Sequence, residues 1–84
     1  MTENKKAWEV FYRVCESEHT MVQIQGIDEI TFNINDSDIS FKVGYNNESD
    51  KFYIKRYDND EEKAFKEDAG YENLYSWLSL INSH

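Results

Sequence analysis

Between Ile30 and Tyr57, apolar and polar residues alternate in three runs separated by short polar clusters. Ile30, Phe32 and Ile34 share one parity; Ile39, Phe41, Val43 and Tyr45 repeat it; Phe52 and Ile54 close the series. Successive side chains on a strand point to opposite faces, so each run predicts a strand with one apolar face. The links 35–38 and 46–50 are too short for parallel crossovers and are rich in Asn, Asp and Ser, which bond their own backbone or accept positive φ. The runs therefore read as an antiparallel meander. A shorter alternation over 21–25, with Val22 and Ile24 on one face, precedes it. Gly26 decides the strand count: a turn through 26–29 makes four strands, whereas a bulge in one long strand makes three. Asp28 and Glu29 would interrupt the alternation, which favours the turn.

Over 4–17 the period changes. Ala7, Trp8, Phe11, Val14 and Cys15 recur at intervals of three and four, the stripe of an amphipathic helix that Thr2 or Asn4 can cap. Trp8 and Phe11 are expected as core anchors, and Cys15 as a small buried hydrophobe with no base placed to activate it. After Tyr57 the chain turns acidic. Residues 58–62 read as the entry to a short helix carrying Ala64 and Phe65, because acids face the positive end of a helix dipole. Ala69 and Gly70 weaken it, and Asp68 can cap a final helix with Tyr71, Leu74, Trp77, Leu78 and Ile81 as its stripe. The fold predicted is α+β: a three- or four-stranded antiparallel meander packed against N-terminal and C-terminal helices, with residues 1–84 as one domain.

Length narrows what such a fold can do. A chain of 84 residues buries only about 60% of its unfolded surface, which leaves few positions for an internal active site. Five Phe, six Tyr and two Trp partly compensate for the thin core. Some of these rings must lie outside it. Seventeen acids against nine bases give a net charge of −8, which repels phosphate backbones and anionic membranes and suits a basic protein partner. Acidity that serves only solubility is the plainer alternative. The single Cys15 excludes an internal disulfide, and no apolar run approaches the roughly 20 residues that span a bilayer. A cytoplasmic protein is expected.

Catalytic and cofactor signatures are missing from the sequence. Gly26, Gly44 and Gly70 are isolated, so no glycine loop cradles a phosphate. His19, His84 and Cys15 lack zinc-ligand spacing, and neither histidine is placed to activate a nucleophile. Asn35, Asp36 and Asp38, and again 58–62, imitate the start of a calcium loop without its sixth-position Gly and twelfth-position Glu. No cofactor, no metal and no enzymatic activity are expected.

The polar parity offers more. If Phe52 and Ile54 face inward, Tyr53, Lys55 and Tyr57 face outward, and tyrosines beside charges are the composition of a protein-binding surface. The alternative is that these tyrosines pair with neighbours across the sheet or are covered by a helix. The candidate partner-binding set is Tyr53, Tyr57, Asp58, Asp60, Glu61, Glu62, Glu67, Asp68, Tyr71 and Glu72. Carboxylates held on a rigid scaffold can imitate the charge of a nucleic acid and occupy the basic groove of a protein that binds one. In charge and order of elements the chain resembles phage-encoded inhibitors, including anti-CRISPR proteins and other DNA mimics, and small acidic immunity proteins that neutralise toxin nucleases. The resemblance rests on no motif and assigns no residue. It implies an inhibitor, and a monomer or weak homodimer is expected; the rival expectation is an assembly protein that self-associates through a tyrosine-bearing sheet surface.

Overall fold

The computed structural model describes residues 3–15, 20–24, 26–34 and 37–83, with the backbone alone at 20–24. Helix α1 (Glu3–Cys15) leads into five strands, β1 (Thr20–Ile24), β2 (Ile27–Asn33), β3 (Ile39–Asn46), β4 (Lys51–Asp58) and β5 (Glu61–Asp68), and α2 (Asn73–Asn82) closes the chain. The strands are antiparallel and adjacent in chain order, so the sheet is a meander with β1 and β5 at its edges. This is the α+β architecture expected from the alternation. The four-stranded version with a turn at Gly26 holds, and β5 extends it. The turn is tighter than 26–29: Ile24 pairs with Ile27, Gly26 has φ 81°, and Asp28 and Glu29 belong to β2. The facing of Val22 and Ile24, a cap from Thr2, and residues 16–19, 25, 35, 36 and 84 lie outside the described residues.

The core forms on one face of the sheet. Trp8, Phe11 and Cys15 from α1 and Leu74, Trp77 and Ile81 from α2, both at spacing i, i+3, i+7, pack on Ile30, Phe32, Phe41, Val43, Tyr45, Phe52 and Ile54. Trp8 is the hub of α1. Its ring lies 5.7 Å from Phe11, 6.1 Å from Tyr45 and 6.4 Å from Phe52, and its indole N–H donates to Asp28 Oδ2 at 3.2 Å. A buried indole thereby keeps its hydrogen bond. Asn4 ties the start of α1 to two loops, its Nδ2 donating to the carbonyls of Asp50 (3.0 Å) and Ala69 (2.8 Å). Val14, expected on the apolar stripe, is 58% exposed, because α1 turns only its Trp8, Phe11 and Cys15 line to the sheet.

Two expectations after Tyr57 are corrected. Residues 58–62 do not open a helix: Asn59 and Asp60 have φ of 53° and 64°, and Asp58 pairs with Glu61 across them. Positive φ at both central residues of a two-residue link is the hairpin geometry that matches strand twist, and Asn and Asp tolerate it. Ala64 and Phe65 accordingly lie on β5. The dipole term favouring a helix there is worth only about 0.3–1 kcal/mol, whereas pairing with β4 satisfies a whole ladder of backbone groups. Asp68 likewise does not cap the last helix. It ends β5, and its Oδ1 accepts from the Gly70 N–H at 3.1 Å. The N-cap of α2 is Glu72, whose side chain makes no capping bond, and Tyr71 lies exposed before the helix. No helix among the described residues is long and apolar enough to cross a membrane.

Candidate functional site

Both helices lie on the core side, so the opposite face of the sheet is built from the polar parity of the strands. Across its middle run Glu29, Gly44, Tyr53 and Glu67, each paired in register with the next. Below them run Thr31, Lys42, Lys55 and Phe65. The phenol of Tyr53 crosses Gly44 and donates to Glu29 Oε2, a residue two strands away. Gly44 makes the crossing possible. A Cβ there would clash with the Tyr53 side chain, at Cζ, Cε2 and the hydroxyl oxygen.

Tyr53 therefore points outward as expected but is only 8% exposed. It is a covered ring, not a free contact. Phe65 stacks beside it with centroids 6.1 Å apart, and Lys55 Nζ lies 5.2 Å from the Tyr53 ring and 5.9 Å from that of Phe65. Tyr57 is half-buried under Lys42, whose Nζ is 5.1 Å from its centroid and 3.8 Å from Glu29 Oε1. Burial, reinforced by the hydrogen bond to Glu29 and by that carboxylate's charge, holds the Tyr53 phenol well above the ordinary tyrosine range.

The carboxylates of the candidate set spread along β5 and do not form one patch. Asp58, Asp60 and Glu61 sit at the tip of the β4–β5 hairpin, while Asp68, Tyr71 and Glu72 sit at the far end. Eight strand steps separate Asp60 from Asp68, about 26 Å at the usual rise. Between them Glu62 and Glu67 share the outer face with Tyr57 and Tyr53. Three of the acids have lysines nearby: Glu61 with Lys63 at 3.4 Å, Glu62 with Lys55 at 3.7 Å and Glu67 with Lys51 at 3.8 Å. Pairs this exposed are worth little and yield readily to a partner's cations.

What distinguishes β5 is its position. Glu61 through Glu67 are all exposed, and the strand is a sheet edge with β4 on one side only. Such an edge presents unpaired backbone donors and acceptors. Reading the sequence missed this strand, and with it Phe65, 55% exposed at its centre. It missed Gly44 as well, although an isolated glycine inside a strand pattern signals close approach of another group. The two loops that imitate calcium sites meet at a polar recess of about 280 Å³ lined by Asn33, Ser37, Asp38, Asn59 and Asp60. Among the described residues no three His, Cys, Asp or Glu side chains cluster closely enough to hold a metal ion. Comparison with protein families, with characterised proteins and with solved structures returns no match.

Proposed function

We propose that this chain is a non-enzymatic, cytoplasmic protein-binding inhibitor whose acidic edge strand β5 engages a basic partner and covers a surface that would otherwise hold nucleic acid. The observation that carries this reading is the exposed edge itself: eight residues, Glu61–Asp68, four of them acidic, with one backbone edge open. Strand addition would supply main-chain hydrogen bonds, and the carboxylate pairs at the two ends of the strand, Glu61 with Glu62 and Glu67 with Asp68, would select cationic side chains. The net charge of −8 would steer such a partner in. A direct test titrates the 15N-labelled protein with acetyl-Lys-Val-Lys-Val-Lys-amide and with its Glu-Val counterpart. Saturable shifts along β5 with the basic peptide, weakened by salt and by changing Asp60, Glu61 and Glu62 together to Ser, are the expected result. Equal responses to both peptides, or shifts that avoid β5, would refute it.

A second reading has its own observation. If β5 pairs antiparallel with β5 of another copy about Phe65, the two exposed rings meet and Lys63 faces Glu67 on both sides. That is the self-associating assembly protein. Sedimentation separates the two readings: concentration-dependent dimers abolished by Phe65→Lys favour assembly, and a monomer at high concentration favours the inhibitor.

A further inference from the structure

Arg56 stands out on the core face of the sheet. Its register partners are Phe41 and Ala64, and its neighbours of the same parity on β4 are the buried Phe52 and Ile54. Arg56 itself is half-buried, a cation among apolar neighbours. Its Nε is the one buried side-chain nitrogen or oxygen among the described residues that has no hydrogen-bond partner, although the chain carries 17 acids. Buried polar groups are nearly always bonded, so an exception needs an explanation.

Arg56 also lines an open cleft of about 320 Å³ where the β4–β5 edge of the sheet meets α2. Phe41, Ile54 and Trp77, each under 10% exposed, form its apolar walls, and Leu80 and Phe65, 49% and 55% exposed, form its rim. Lys66, also lining it, adds a second positive charge at the mouth. The volume falls at the small end of the range for ligand clefts, which suits a compact molecule more than a length of peptide. A planar guanidinium matches a planar carboxylate with parallel hydrogen bonds. The surrounding net charge of −8 disfavours a dianionic phosphate.

We propose that this cleft binds a small organic carboxylate carried on an aromatic or aliphatic body, the carboxylate on Arg56 and the body against Trp77 and Phe41. The cleft shares Phe65 and Lys66 with β5, but its anchor Arg56 on β4 and its wall Trp77 on α2 take no part in the inhibitor reading, so the two are tested separately. The chain has two tryptophans, of which Trp77 walls the cleft and Trp8 packs under α1. Their indole N–H signals in a 15N correlation spectrum therefore report on the cleft and on a control position. The probes are 4-phenylbutanoate, the uncharged 4-phenylbutanol, and acetyl-Gly-Gly-Phe with a free carboxylate as the peptide source of the same chemistry.

The expected result is a saturable shift of the Trp77 signal with 4-phenylbutanoate, a static Trp8 signal, at least tenfold weaker binding of the alcohol, and no saturation with the tripeptide. Arg56→Met keeps the aliphatic stem and should weaken binding at least tenfold, while Arg56→Lys retains part of it. Should Arg56→Met fail to fold, Leu80→Glu at the exposed rim sets a like charge against the ligand and should weaken binding severalfold. Equal affinity for acid and alcohol, or no saturation with phenylbutanoate, overturns the site. Binding of the tripeptide alone overturns the small-molecule source.

Discussion

Replacing Gly44 by Ala tests the outer face at the point where its parts depend on one another. The new methyl would occupy the space of the Tyr53 ring, so the ring must swing away from β3 and its hydroxyl must leave Glu29. A hydrogen bond to a charged acceptor contributes about 1.5 kcal/mol at the lower end of its range. Re-exposing half of a ring that buries about 200 Å² costs about 2.5 kcal/mol more. Removing a glycine from a strand interior returns about 0.5–1 kcal/mol. The expected loss is about 3 kcal/mol, or about 12–24 °C in Tm for a domain of this size. Urea titration followed by tryptophan fluorescence measures it. The decisive comparison is a double-mutant cycle with Tyr53→Ala. In that background the methyl meets open space, so Gly44→Ala should become neutral or stabilising by up to about 1 kcal/mol. A Gly44→Ala effect below about 0.5 kcal/mol, or one of the same size in both backgrounds, would show that Tyr53 does not lie across Gly44.

The same seat sets a pH dependence. Because the folded phenol of Tyr53 has its pKa raised, chiefly by burial, its contribution is complete below the unfolded value of about 10 and is lost as pH rises beyond it, at up to about 1.4 kcal/mol per pH unit. Tyr53→Phe should flatten the fall in urea midpoint between pH 9 and 11.5, and identical slopes would contradict the assignment. Asp60→Gly relieves a left-handed residue in the β4–β5 turn, φ 64°, and should add about 0.5–1 kcal/mol by thermal unfolding; a loss would mean that the Asp60 side chain supports the turn. Asn4→Ala frees the carbonyls of Asp50 and Ala69 and should cost about 1–2 kcal/mol, with faster amide exchange in α1 as a second readout. Unchanged stability and exchange would place the anchoring of α1 elsewhere.

By itself the sequence determined the meander, its apolar face and the two helices. The reason is local: a period of two from Ile30 to Ile54, and Trp8, Phe11, Leu74, Trp77 and Ile81 at helical spacing, leave one economical way to bury the large rings. The net charge of −8 is likewise a property of the sequence alone, whatever the fold. Tertiary structure decided β5. Its segment of mixed charges around Ala64 and Phe65 has no period of its own, and it becomes a strand because β4 offers an unsatisfied edge across a two-residue turn. Tertiary structure also decided how much of Tyr53 meets water. Tyr53 has the parity of a surface residue, yet it is covered because Gly44, nine positions earlier in sequence, lies opposite it and leaves room for a ring to reach Glu29. Parity assigns a side chain to a face; only the registered neighbours decide whether that face leaves the ring in water.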